Sequence, residues 1–222
     1  MARARRRLRV DGIVQGVGFR PFVFNLAEQL GLAGGVCNTS DGVFIEIEGD
    51  RDTLVAFRTR LEADAPALSR ITSVDELEIE PTGDVAFTIR RSEDTPGNAT
   101  LVPPDAAVCA DCLGEIRDPG DRRHRYPFTN CTNCGPRLTI IDRIPYDRSR
   151  TSMARFAMCA RCRAEYEDPR DRRFHAQPNA CPDCGPRLWL EGPDAETAGD
   201  ALVACARRLA GGSIGALKGL GG

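Results

Sequence analysis

Two groups of side chains in this sequence are spaced to do chemistry. The first is Arg20, near the end of the glycine-bearing stretch VDGIVQGVGFRPF (residues 10–22), with Asn38 placed 18 residues further on. The second is a set of eight cysteines: Cys109, Cys112, Cys131, Cys134, Cys159, Cys162, Cys181 and Cys184. A guanidinium offers a fork of donors that fits two phosphate oxygens at once. Gly16 and Gly18 allow the backbone to approach an anion closely, so the amides of Gln15, Gly16, Val17, Gly18, Phe19 and Arg20 form a candidate phosphate cradle. No Lys-Ser/Thr pair follows the glycines and no dinucleotide pattern lies downstream, so a small phosphate group fits better than a nucleotide. Taken alone, the stretch also reads as a plain strand-to-helix turn with a surface arginine, and Asn38 as a turn residue.

The cysteines fall into C-x2-C-x18-C-x2-C, repeated once with a period of 50 residues. The segment CADCLGEIRDPGDRRHRYPFTNCTNCGPR aligns without gaps to CARCRAEYEDPRDRRFHAQPNACPDCGPR, so a small unit is duplicated. Two thiolates of one knuckle clasp one face of a tetrahedral ion, and the second knuckle supplies the other. Two structural zinc ions are therefore expected, in closed sites without catalysis. Another thiolate-bound metal, or redox and disulfide chemistry, remain the alternatives, and knuckle pairing across the repeats stays open. Gly135 and Gly185 stand where the chain turns around each metal. His124 and His175 occupy non-equivalent repeat positions and are read as non-ligands, because a duplicated site should duplicate its ligands. Cys37 and Cys205 are read as small buried apolar residues. Each four-thiolate site with one dication carries about −2, which makes the loaded chain more acidic than its formal −2.

The elements that must position these groups are legible from periodicity. RLRVDGIV alternates as a strand. PFVFNLAEQLG reads as a helix with Pro21 at its first position and Gly31 past its end. GGVCNTSDGVFIEIEG reads as a hairpin turning at Asp41-Gly42, and DRDTLVAFRTRLEAD as a second helix with Asp50 as N-cap. SVDELEIEP and VAFTIRRS finish as strands. The order β-α-β-β-α-β predicts an α+β, ferredoxin-like split βαβ domain over residues 1–91, with two helices on one face of an antiparallel sheet. Residues 92–108, rich in Pro, Thr, Gly and Asp, read as a linker. Residues 109–190 form the tandem four-cysteine domain, whose joining segment has some strand and helix character. Residues 195–222 carry a helical pattern followed by the start of a buried strand, SIGALKGLGG, from which we expect the natural polypeptide to continue.

Composition narrows the class. Of 222 residues, 41% are hydrophobic and 28% charged, which suits a soluble globular protein. No apolar run is long enough to span a membrane, and no signal-peptide core follows the basic MARARRRLRV. Those arginines read as one end of an edge strand plus a frayed terminus rather than a nucleic-acid or membrane arm. With no secretion signal, a reducing cytoplasm is expected, where paired cysteines bind metal.

VQGVGFRPF, with NTSDG beginning 18 residues after Arg20, resembles the acylphosphatase family over residues 1–91. The resemblance implies that Arg20 and the loop amides bind phosphate and that Asn38 orients the attacking water. NCTNCGPRLTIIDRIPYDR, MCARCRAEY, DRRFHAQPNACPDCGPRL and ALKGLGG resemble the carbamoyltransferases of nickel–iron hydrogenase maturation, over essentially the whole chain. That resemblance implies carbamoyl phosphate as substrate. It further implies a HypE-type acceptor whose cysteine receives the carbamoyl group, and a cyanide ligand of the hydrogenase iron as its end. It also implies that residues 195–222 open a YrdC-like domain which uses ATP, with Lys218 near its nucleotide site. Only the start of that domain is present, so complete transfer by this chain alone is not expected. Two other readings compete: a non-catalytic carbamoyl phosphate-binding and zinc scaffold module, and a zinc-ribbon nucleic-acid binder. The charge balance and the lack of an aromatic stacking array argue against the second.

Overall fold

The computed structural model describes residues 3–93, 100–192 and 200–219. Its N-terminal part runs β1 (Ala4–Ile13), α1 (Phe19–Gln29), β2 (Ala33–Thr39), β3 (Gly42–Gly49), α2 (Arg51–Ala63), β4 (Arg70–Ile79) and β5 (Phe87–Ile89). The sheet order is β4-β1-β3-β2-β5. All pairings are antiparallel except β2 with β5, which is parallel. The expected α+β split βαβ order is present, and VAFTIRRS crosses to the far edge to add the fifth strand.

Strand alternation builds the core. Leu8, Val10, Val36, Val43, Ile45 and Ile47 are buried in one cluster with Val23, Leu26 and Ala27 of α1 and Leu54, Phe57 and Leu61 of α2. Each such large side chain contributes about 1.5–3 kcal/mol by leaving water. Among the intervening residues on the other side of the sheet, Arg5 and Arg7 of β1 stand opposite Glu48 and Glu46 of β3. Arg5 donates to Glu46 at 2.7 Å and to Glu48 at 3.2 Å, while Arg7 and Arg90 also reach Glu46. Burial would raise the Glu46 carboxyl, but these three arginines hold it at about 2. The basic run is thus not at an edge, and its first two residues, where a frayed terminus is expected, lie outside the described residues. β1 lies inside the sheet between β4 and β3, and Arg5, Arg6 and Arg7 each meet a carboxylate there.

Two local expectations shift by a residue or two. Thr39 pairs with Gly42, so the hairpin loop is Ser40 and Asp41 rather than Asp41-Gly42. Gly42 sits in the strand at φ 141°, where a Cβ would press on the Val10 carbonyl. Pro21 is the third residue of α1, still within the first turn, where its missing N–H removes no helical bond.

The duplicated region repeats in three dimensions. α3 (Ala110–Arg117) and α4 (Ala160–Glu167) each begin just after a knuckle cysteine. After each helix the chain turns through Arg125 or His175, which are repeat equivalents in the left-handed region at φ 59° and 53°. Their N–H groups close onto the equivalent carbonyls of Ile116 and Tyr166. The joining segment forms only two 3₁₀ turns, Arg148–Arg150 and Ser152–Arg155, and a bridge between Ile141 and Thr151. Of residues 92–108, positions 94–99 lie outside the described residues. The rest is tied at both ends: Thr100 N–H donates to Ser40 O, and Ala106 pairs with Gly135.

α5 (Ala201–Ala210) is capped by the Asp200 carboxylate, which accepts from the N–H groups of Leu202 and Val203. The expected buried strand after it is absent among the described residues. Positions 213–219 pair with no strand, and Ile214, Leu217 and Lys218 are exposed. Cys205 on α5 is half-exposed rather than buried, since this helix has little apolar surface to pack against, whereas Cys37 is buried in β2.

Candidate active site and metal centres

The loop between β1 and α1 turns on two left-handed glycines, Gly16 at φ 70° and Gly18 at φ 77°. A side chain at either position would be strained by the left-handed backbone and would crowd a neighbour. A Cβ on Gly16 would meet the Tyr146 ring at 3.1 Å, and one on Gly18 would meet Thr132 at 3.2 Å. Among the described residues, the N–H groups of Val17, Gly18, Phe19 and Arg20 have no protein acceptor. Four free amides at a helix N-terminus favour an anion. Gln15 braces this loop from beneath. Its amide nitrogen donates to Thr39 O at 2.8 Å and Gly42 O at 2.9 Å, and its amide oxygen accepts from Tyr146 N–H at 2.9 Å.

Arg20, on the first turn of α1, and Asn38, on β2, are both buried. They converge on one atom, the Tyr146 carbonyl oxygen: Arg20 Nη2 donates to it at 3.1 Å and Asn38 Nδ2 at 3.3 Å. The Asn38 Oδ1 atom is buried with no hydrogen-bond partner. A buried acceptor left open in this way is costly unless something else occupies it. Arg20 Nη1 further donates to Asp147 Oδ1 at 2.8 Å and to Ser92 Oγ at 3.4 Å.

The site is therefore roofed by the cysteine-rich region, which residue spacing alone did not reveal. Tyr146 and Asp147 come from the joining segment, and Thr132 and Arg137 from the second knuckle of the first repeat. The Arg137 guanidinium donates to Gly16 O at 2.8 Å and to Thr132 O at 2.7 Å, and it also bonds the Cys134 carbonyl. What remains between cradle and roof is a cavity of about 20 Å³, close to the space one water needs. His175 lines it. Burial, then the Arg20 charge, push its imidazole down to about 4, so it is neutral near pH 7. The segment IPYDR and the repeated CGPR were visible as sequence, but nothing local says that they face the glycine loop.

The eight cysteines gather into two clusters, each from a single repeat: Cys109, Cys112, Cys131 and Cys134, and Cys159, Cys162, Cys181 and Cys184. This answers the pairing question in favour of knuckles closing within their own repeat. In the first cluster the sulfurs of Cys109 and Cys131, Cys131 and Cys134, and Cys134 and Cys112 are 3.7, 3.8 and 3.4 Å apart. In the second, the matching distances are 3.8, 3.7 and 3.6 Å. An ion bonded to four thiolates at about 2.3 Å in a tetrahedron sets its sulfurs about 3.8 Å apart, so both clusters fit zinc. Neither histidine belongs to a cluster. Gly135 follows its knuckle at φ 92°, while Gly185 is excluded from carrying a side chain by the Tyr126 hydroxyl and Ala180.

Comparison with known proteins agrees with this division. Residues 6–89 match the acylphosphatase family, and residues 108–141 and 158–191 each match the HypF finger. The carbamoyltransferase HypF of Rhodobacter capsulatus is 56% identical over 218 residues, which is 97% of this chain and 29% of that protein. The acylphosphatase of Thermotoga maritima is 45% identical over 85 residues, 38% of this chain and 93% of that protein. A crystal structure of full-length HypF in its phosphate- and nucleotide-bound form superimposes with a TM-score of 0.93 at 48% identity, covering 100% of this chain and 29% of that one. HypF of T. kodakarensis superimposes with a TM-score of 0.81 at 45% identity, over 94% of this chain and 26% of that one. The chain thus spans less than a third of the HypF proteins that it matches.

Proposed function

This chain belongs to the HypF carbamoyltransferase family, whose acylphosphatase and finger parts it carries, and on that premise we propose that its glycine-loop site hydrolyses carbamoyl phosphate. The observation that carries the reading is the convergence of Arg20 and Asn38 on the single Tyr146 carbonyl, beside four free loop amides. In this mechanism the Tyr146 carbonyl and Asp147 give way to substrate, and the loop N–H groups and the Arg20 donors they release receive the phosphoryl oxygens as charge develops on them. Asn38 Oδ1, the open buried acceptor, takes a hydrogen bond from water and aims its oxygen at phosphorus. The water oxygen bonds to phosphorus, the P–O bond to the carbamoyl group breaks, carbamate leaves, and the proton stays on phosphate. An acyl phosphate is an activated anhydride with a weakly basic leaving group. Positioning and charge neutralisation therefore supply most of the catalysis, with no need for a histidine or carboxylate base.

Carbamate released here would feed transfer to the thiol of a HypE-type acceptor, with ATP consumed in a YrdC-like domain beyond these residues, towards the cyanide ligands of a nickel–iron hydrogenase. The two cysteine clusters would each hold one zinc ion, which supplies a rigid four-way link and leaves no open coordination position. Their thiols need a reducing compartment, for which the cytoplasm is the natural one. Among the described residues no helix is long and apolar enough to cross a membrane.

The test is phosphate release from carbamoyl phosphate by this chain. Arg20→Ala and Asn38→Ala should each lower kcat/KM by about 100-fold or more, the scale of losing one transition-state donor. Unchanged turnover in both variants would sink the assignment. The seating of Asp147 on Arg20 favours one other reading, a carbamoyl phosphate-binding module without turnover. Saturable binding with no phosphate released would establish that instead.

A further inference from the structure

The two cysteine clusters are not self-contained. Arg172, from the second repeat, donates through Nη1 to the sulfur of Cys112 in the first, at 3.0 Å. Its equivalent one repeat earlier, Arg122, donates through both terminal nitrogens to the sulfur of Cys162 in the second, at 3.5 and 3.4 Å. The exchange is reciprocal, and so are its anchors. Glu165 of the second repeat holds Arg122 at 2.6 Å, and Glu115 of the first holds Arg172 at 2.5 Å.

We propose that each metal cluster is charge-balanced by an arginine of the opposite repeat, so that the two sites hold their metals interdependently. This rests on the reading that both clusters bind zinc. Four thiolates around one dication keep about two excess negative charges, which partly buried surroundings make costly. A guanidinium N–H on a ligand sulfur offsets that charge and fixes the sulfur's direction, as partners behind metal ligands generally do. Plain surface ion pairing with Glu115 and Glu165 would account for the carboxylate contacts alone. It draws both arginines across to the other repeat, but gives no reason for the first arginine of each DRR segment to place an N–H on a ligand sulfur there. The consequence is directional. Loosening the second repeat withdraws Arg172 from the first cluster, and loosening the first withdraws Arg122 from the second.

The experiment challenges the zinc-loaded chain with a chelator and a thiol-alkylating reagent, and follows each cysteine by mass spectrometry. In Arg172→Gln, Cys109, Cys112, Cys131 and Cys134 should become reactive first, about 10-fold or more faster than in the parent, with the second cluster following. In Arg122→Gln the order should reverse. Parent-like rates at the first cluster in Arg172→Gln, or earlier loss of its own repeat's cysteines, would overturn the proposal. Should Arg172→Gln not fold, Arg122→Gln decides by the mirror comparison: the second cluster leading supports the exchange, and equal rates at the two clusters overturn it. A parent chain that binds no zinc would fail the metal reading and this one together. Two zinc ions in the parent with unaltered kinetics in the variants would fail this one alone.

Discussion

Arg20 and Asn38 come from different elements, 18 residues apart, yet they share one acceptor oxygen, and that is what a small tetrahedral ligand and its attacking water require. Their residue types and spacing could be picked out in the sequence, because a phosphate cradle needs glycine freedom, a forked cation and an amide. The groups opposite them could not. Tyr146, Asp147 and Arg137 lie more than a hundred residues from Arg20 and its loop, and only packing brings them there. His175 is a further case. Its non-equivalence in the repeat excluded it as a ligand, and the structure gives it a place against the Tyr166 and Phe174 rings and beside the cavity. Its imidazole titrates near 4 when folded against 6.5 ordinarily, so the unfolded chain takes the proton first. Stability should therefore fall as pH drops from about 6.5 towards 4, by about 2 kcal/mol at pH 5 from this residue. Asn tolerates the left-handed backbone there. His175→Asn should lose less stability than the parent between pH 7 and 5, measured by urea unfolding, and an equal loss would contradict the assignment.

At the level of elements, alternation and helical periodicity gave the strands, both long helices and the core face, since each of these is a local consequence of burying one side. The hairpin loop moved by one residue because Gly42 is needed within β3, where its Cβ-less backbone passes Val10. The crossing of β5 to the far edge was not legible, because a three-residue strand carries too little pattern to name its partner. The joining segment matters most for function. It reads as weak local structure, and it supplies the roof. Asp147 places a carboxylate on the guanidinium that should receive phosphate, and like charges there oppose an incoming anion. Asp147→Ala should tighten inorganic phosphate binding about 3- to 10-fold, read by calorimetry. Weaker or unaltered binding would show that the contact orients Arg20 more than it competes for it.

Across the whole molecule, the cysteine units work as a clamp on the glycine-loop site. Phe24 of α1 packs edge-on against Phe174 of the second repeat at 5.5 Å, and Asn25 donates to the Pro169 carbonyl at 3.2 Å. Metal binding and site closure should therefore be linked. The reduced chain should carry about two zinc ions by elemental analysis, and stripping them should unfold the cysteine units while the far-UV signature of the sheet persists. A content near zero in freshly purified protein would refute the metal assignment. The repeat and its cluster spacing were plain in the sequence, whereas the reciprocal arginines were hidden, because DRR reads as a solvated charge run until two copies face each other. The central claim is that water positioned by Asn38 attacks the phosphorus held by Arg20 and the loop. Hydrolysis of carbamoyl phosphate in oxygen-18 water, corrected with the Arg20→Ala chain, tests this most directly. The account predicts one labelled oxygen in each phosphate formed by the enzyme; unlabelled phosphate would place the attack on the carbamoyl carbon and contradict it.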